Sequence, residues 1–163
     1  MKSGIIVYYS RTEKTRFAAE ILSENLQTFE LFQVLEKNFS RRNGIFGFIK
    51  SGYDAVFNNK IELVRTPDLS KYEILLFCGP IWAGKIAPPV RQIIIENSVL
   101  FNEKKIFILT TSDSKTGISH NYFKKKNIAP VKSLNLSSVP KDKNSVREKF
   151  GILLKDFAVE ISQ

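Results

Sequence analysis

Ile5-Ile6-Val7-Tyr8-Tyr9-Ser10-Arg11-Thr12-Glu13-Lys14-Thr15, with Phe17, Ala18, Ile21, Leu22 and Leu26 behind it, is the stretch that decides the fold. Ile5 to Tyr9 is an apolar run of strand length, and Ser10 to Thr15 is polar. The apolar residues after it recur at roughly the spacing of one helical face. A strand that passes through a short polar turn into an amphipathic helix is a unit of an α/β domain.

The same alternation continues outward. Phe29 to Leu35 reads as a second strand, apolar on most of both faces, which fits a sheet covered on two sides. Ile74-Leu75-Leu76-Phe77-Cys78 is fully apolar and is expected at the sheet centre, stopping at Gly79-Pro80. Pro88-Pro89 opens a helix whose Val90, Ile93 and Ile94 share a face, since proline suits a first helical turn. Lys105 to Thr110 and Val131 to Leu136 are expected as the fourth and fifth strands. Pro140 to Ser145 reads as a turn. Val146 to Ile161 closes the chain as a helix with Val146, Phe150, Leu153, Leu154, Phe157 and Ile161 inward. Between Arg41 and Asn59, glycines interrupt an aromatic-rich segment, and a loop followed by a helix is expected. Five strands alternating with about four or five helices predict one α/β domain over residues 1–163: a doubly wound, five-stranded parallel sheet with helices on both faces. In such a sheet ligands sit beyond the carboxyl ends of the strands, where Ser10 to Thr15, Gly79 to Pro89 and Thr111 to Ser119 form the loops.

Composition narrows the setting. The 163 residues carry 25 Lys or Arg against 16 Asp or Glu, a net charge of +9, and 43% are hydrophobic, enough for a core. Cys78 is the single cysteine, which excludes an internal disulfide and a cysteine-rich zinc site and fits a reducing, cytoplasmic location. No stretch approaches a membrane span, and the first residues are too short an apolar run for a signal peptide.

Three hydroxyl side chains, Ser10, Thr12 and Thr15, fall where the first strand hands over to its helix, so hydroxyls and helix-terminal amides can converge on an anion. The alternative is that Ser10 or Thr12 simply caps the helix. Other motifs fail on chemistry. Gly79 to Lys85 has the glycine spacing of a nucleotide loop, but Ile86 stands where magnesium coordination needs a hydroxyl. A phosphatase built on Cys78 would want arginine where Gly84 stands, and a response regulator would want an aspartate at that strand end. His120 is the sole histidine and reads as a loop residue.

The loops together resemble those of flavodoxins. The phosphate loop of that family runs Ser or Thr, any residue, Thr, Gly, any residue, Thr. Here Ser10-Arg11-Thr12-Glu13-Lys14-Thr15 matches the three hydroxyls and has Glu13 in place of glycine. Gly79-Pro80-Ile81-Trp82-Ala83-Gly84 resembles the flavin-ring loop of a flavodoxin subgroup, to which Gly44 to Tyr53 is also similar. The resemblance implies a flavodoxin-like fold and FMN as cofactor. FMN would be held at Ser10, Arg11, Thr12, Glu13, Lys14 and Thr15 by its phosphate, and its ring would meet Pro80, Ile81, Trp82, Ala83 and Gly84. Ser112, Asp113 and Gly117, in the loop after the fourth strand, would meet the ring's pyrimidine edge. The implied function is electron or hydride transfer, with no catalytic acid, base or nucleophile. An NAD(P)H-dependent reductase of a quinone-like acceptor would use the same loops, so carrier and enzyme stay open. From another class, a flavin-free interaction module with a basic surface is the alternative, and Glu13 is its best support.

Flavodoxins are typically acidic, whereas Thr111 to Gln163 alone holds ten Lys or Arg against five Asp or Glu. Lys124-Lys125-Lys126, Lys132, Lys141, Lys143, Arg147 and Lys149 would attract an acidic redox partner. The aromatics lie in apolar strands and glycine-rich loops rather than among these cations, which argues against nucleic acid.

Overall fold

A computed structural model describes residues 3–37, 61–113, 123 and 128–163. Strand β1 (Gly4–Tyr8) leads into helix α1 (Lys14–Asn25) and strand β2 (Phe29–Gln33). Strand β3 (Ile74–Trp82) turns back into the two-residue strand β4 (Lys85–Ile86), and helix α2 (Pro88–Glu96) follows. Strand β5 (Lys105–Ser112), strand β6 (Lys132–Ser137) and helix α3 (Lys143–Ser162) complete the described elements, with short 3-10 turns at Leu69–Lys71 and Ser98–Glu103.

The main sheet runs β2-β1-β3-β5-β6, and all four of its pairings are parallel. This is the 2-1-3-4-5 order of a flavodoxin-like doubly wound sheet, in which the winding reverses between β1 and β3. Only the small β4, antiparallel to the end of β3, departs from the five expected parallel strands. Alternation within the strands makes two cores. Ile6, Leu76, Cys78, Phe107 and Leu109 face α1 and α3 on one side. Ile5, Val7, Leu75, Phe77 and Ile108 face α2 on the other. Every residue from Ile74 to Gly79 is buried, as a central strand requires.

Several boundaries differ from the sequence expectation for identifiable reasons. Strand β3 does not stop at Gly79-Pro80. It pairs with β5 through Pro80 and Thr111, and the Pro80 carbonyl accepts a hydrogen bond from Ala87 N–H at 2.8 Å. Proline removes a donor but leaves the acceptor this turn uses. Strand β5 runs to Ser112, so Thr111 and Ser112 are strand residues rather than loop. Strand β2 is an edge, half-buried rather than covered on both faces, with Glu30 exposed and Phe32 inward. In α3 the expected inward Leu153 is 43% exposed and Ala158 is buried instead, because Leu153 lies at the margin of the stripe formed by Val146, Leu154, Phe157 and Ile161. That helix starts at Lys143, inside the expected turn, capped by Asp142, whose carboxylate accepts from Ser145 N–H at 2.9 Å. The loop and helix expected between Arg41 and Asn59 lie outside the described residues. Among the described residues no helix is long and apolar enough to cross a membrane.

Gly79 sits where the hairpin folds back on the sheet. A Cβ there would lie 2.9 Å from Ile86 Cγ1 and 3.5 Å from Val90 Cγ2. Gly79→Ala is therefore expected to cost about 1–3 kcal/mol by overpacking, read as a lower urea midpoint at unchanged slope. Ile86→Ala removes the obstructing atom, so the double variant should lose clearly less than the sum of the singles. Additive losses would show that the crowding is not at Ile86.

Candidate functional site

The described residues at the carboxyl ends of neighbouring strands β1, β3 and β5 wall a cleft of about 660 Å³. That is within the usual size range of small-molecule sites.

The first wall begins at Tyr9, whose N–H donates to Cys78 O at 3.0 Å and so ties the loop to the central strand. Glu13, the last residue before α1, has φ 63° and ψ −18°, the left-handed region that favours glycine. The Glu13 side chain makes no cap hydrogen bond to the helix. Neither Ser10 nor Thr12 has the simple capping role, and the first-turn amides keep their full capacity for an anion. The Thr15 and Thr111 hydroxyls share a buried hydrogen bond of 2.7 Å, which joins this wall to β5. Ser10 Oγ is buried and has no hydrogen-bond partner among the described residues. A buried hydroxyl in that state suits a ligand oxygen.

Glu13 does not point into the cleft. Its carboxylate lies 2.5 Å from Arg16 Nη1 and is about half exposed. Arg16 also donates through Nε to Glu20 at 2.9 Å, and Glu20 accepts from Lys143 of α3 at 2.8 Å. Burial pulls the Glu20 carboxyl up, but the hydrogen bonds from Lys143 and Arg16 outweigh it and leave it below the ordinary value.

The second wall is the β3–β4 hairpin, where a plain loop was expected. Ile81 pairs with Ile86 and Trp82 with Lys85, leaving Ala83 and Gly84 as a two-residue turn. Both have positive φ, 47° and 73°, the conformation that matches the twist of a tight hairpin. The hairpin presents Trp82, half-buried, edge-on to Tyr9 at 5.7 Å between ring centroids and 88° between planes. This geometry is also incompatible with a nucleotide-binding loop, whose second glycine must open a helix rather than turn a hairpin. Cys78, beneath the cleft, is fully buried, and burial pushes its thiol up, away from the thiolate a nucleophile needs.

The third wall is the end of β5. Asp113 meets Lys14 across the cleft, with Nζ to Oδ1 at 2.5 Å. Ser112 and Asn135 of β6 exchange contacts at 3.3–3.4 Å, and Thr110 donates to the same Asn135 Oδ1 at 3.0 Å. Of the residues named from sequence, Arg11, Thr12, Lys14, Thr15, Pro80, Ile81, Trp82, Ala83, Gly84, Ser112 and Asp113 line the cleft together. Ser10 and Glu13 belong to the first loop without lining it. Gly117 lies outside the described residues, as do His120 and Lys124-Lys125-Lys126. Thr111, expected within the loop after the fourth strand, lines the cleft from the strand itself. The signal for the longer strand is the run Ile106 to Thr111, apolar or β-branched throughout, which carries this threonine to the rim.

No family model matches the chain, and no curated protein matches it. Solved structures do. The flavoprotein of Lactobacillus acidophilus NCFM, solved in complex with FMN, superposes with a TM-score of 0.66 at 20% identity, covering 93% of this chain and 99% of that one. The fold is flavodoxin-like. Oxidised flavodoxin 1 of Bacillus cereus gives 0.58 at 12% identity, covering 98% and 97% of the two chains. Rubredoxin oxygen:oxidoreductase of Desulfovibrio gigas gives 0.60 at 13% identity, with 99% of this chain matching 36% of that larger protein. On this flavodoxin-like frame the basic C-terminal third is partly neutralised from within. Lys132 pairs with Glu160, Lys143 with Glu20 and Glu24, and Arg147 with Glu24.

The backbone at Glu13 gives a stability test free of any ligand. At an ordinary helical position alanine exceeds glycine by about 1 kcal/mol. At Glu13 the order should reverse, with Glu13→Gly more stable than Glu13→Ala by about 1 kcal/mol in urea unfolding, because only the alanine keeps the left-handed penalty. Alanine proving the more stable would mean that the turn relaxes out of this conformation.

Proposed function

We propose that the protein binds FMN in this cleft and uses it for electron or hydride transfer. The observation that carries the reading is the convergence of an anion cradle and an aromatic hairpin on one cleft at the β1/β3 reversal. The cradle comprises the α1 amides and the Thr12 hydroxyl, groups that suit a phosphate dianion, with the unpartnered Ser10 hydroxyl buried in the same loop. Lys14 adds a positive charge at the same end. Trp82 offers a plane against the flat apolar ring, a contact worth about 0.5–1.5 kcal/mol beyond area burial. Thr111, Ser112 and Asp113 supply polar groups at the third wall. Bound FMN would supply the redox chemistry, while the protein holds it, orients it and tunes it through stacking and ring hydrogen bonds. The solved Lactobacillus flavoprotein with FMN supports the same assignment.

Glu13 is the best support for a flavin-free interaction module. Its glycine-type backbone and its outward pairing with Arg16 favour the flavin reading instead. A carrier that docks a redox partner and a reductase that takes a small acceptor both use the cleft as built, and the cytoplasm suits either.

FMN added to the purified protein should quench the emission of Trp82, the single tryptophan, and the protein should stay yellow after desalting. Lys14→Ala should weaken binding by about three- to tenfold, the equivalent of about 0.7–1.4 kcal/mol. Unchanged emission and a colourless protein at saturating FMN would sink the assignment. Electron transfer to an acidic partner should slow steeply as ionic strength passes the point where the Debye length is about 8 Å. A salt-independent rate would leave the +9 charge without a steering role.

A further inference from the structure

Glu13 is the natural competitor for the site it borders. It is the residue preceding α1, and a carboxylate in that place is drawn to the positive end of the helix and to its free amides. Yet it makes no capping hydrogen bond. We infer that Arg16 is a positioning residue for the anion cradle: its guanidinium clamps the Glu13 carboxylate outside the cleft and so keeps the α1 amides open to the phosphate of the ligand. The inference rests on the FMN reading above and adds to it the device by which the chain tolerates an acid at this turn.

The geometry of the clamp is specific. Arg16 is three residues on from Glu13, so the two side chains meet on the outer face of the first helical turn, with Nη1 to Oε2 at 2.5 Å. Nε of the same guanidinium donates to Glu20 at 2.9 Å, so two carboxylates fix the plane of the fork from different sides. Glu20 is held in turn by Lys143, which also pairs with Glu24 at 3.1 Å, and Glu24 pairs with Arg147 at 2.7 Å. The chain of charges therefore runs from the cradle's turn to α3, and Arg16 is anchored to a second helix rather than swinging freely. The hydrogen bonds that hold Glu20 below the ordinary carboxyl range keep it ionised through neutral pH. Arg16 stays charged throughout. Without the guanidinium, Glu13 would have the helix amides as its nearest attraction.

A double-mutant cycle read with two flavins tests this. Wild type, Arg16→Gln, Glu13→Gln and the double variant are titrated with FMN and with riboflavin, which lacks the phosphate, using Trp82 emission. Arg16→Gln should weaken FMN about three- to tenfold in the wild-type background and less than about twofold when Glu13 is already Gln. Riboflavin affinity should not move, and Arg16→Lys should recover part of the FMN loss. An equal loss of FMN affinity in both backgrounds would show only a general attraction between Arg16 and the anion, and would overturn the clamp. A parallel loss of riboflavin would mean that Arg16 acts on the fold rather than on the cradle, which also overturns it. Wild-type protein that binds neither flavin would be a different failure: the FMN reading itself falls and takes the clamp with it.

Discussion

The parallel ladder through β3 is the constraint on which the cleft depends. Strands β1 and β5 hydrogen-bond to its two sides in the same direction, with Tyr8 opposite Cys78 and Pro80 opposite Thr111. Three adjacent strands that point one way end on one side of the sheet, so the chain after Tyr8, the hairpin at Trp82 and Asp113 after β5 come together whatever their sequences. Burial enforces the arrangement. The residues Ile74 to Cys78 are apolar without interruption and fill both cores, so a slip of one residue would exchange the side chains that face α1 and α3 with those that face α2. The site is a by-product of a register that hydrophobic packing sets.

Within that frame the loops that border the cleft hold two of the three non-glycine residues with positive φ among those described: Glu13 and Ala83. Each costs on the order of 1–2 kcal/mol in backbone conformation. Such a cost persists only where surrounding structure over-determines the turn. At Glu13 the turn is fixed by Thr15, bonded to Thr111, and by the Glu13 carbonyl, which accepts from Phe17 N–H at 2.9 Å. At Ala83 it is fixed by the short pairing of Trp82 with Lys85 and by the Ile86 side chain wedged over Gly79. The glycine-type backbone therefore holds at Glu13 and Ala83 without a glycine, because tertiary contacts rather than local propensity shape these turns.

This explains which parts were legible in the sequence. The buried strands and α2 announce themselves through uninterrupted apolar runs, and the hydroxyls after β1 mark the loop that borders the cleft. The ends of elements did not show. Proline at position 80 read as a stop, since its missing N–H suggests one, yet the strand continues through its carbonyl. Leu153 read as core because it is apolar, although the margin of a helical stripe is where an apolar residue can remain 43% exposed. The hairpin under Trp82 was hidden because Ala83-Gly84 lacks the asparagine or aspartate that usually signals such a turn. Thr111 and Ser112 read as loop for a related reason, since a polar residue at the end of a strand looks like loop. The clamp on Glu13 was also out of reach: Arg11, Lys14 and Arg16 all flank it in sequence, and only the helical geometry selects Arg16.

The cleft is also mechanically uneven, in a way that suits the proposed ligand. Its first and third walls are tied together twice, by the Thr15–Thr111 hydrogen bond at 2.7 Å and the Lys14–Asp113 pair at 2.5 Å. The hairpin wall meets the first through the edge contact of Trp82 with Tyr9, and its tip, Ala83 and Gly84, is exposed. Ion pairing at an 85% exposed Asp113 is weak in energy, but the buried threonine pair is not screened by salt. On the FMN reading, the first wall would hold the phosphate, whose charge does not change with redox state, while the hairpin and the third wall would meet the ring, whose hydrogen-bonding needs do change. Tuning a potential requires that the contacts to the ring differ in strength between redox states, and the Thr15–Thr111 hydrogen bond would keep the anchoring loop in place while those contacts change.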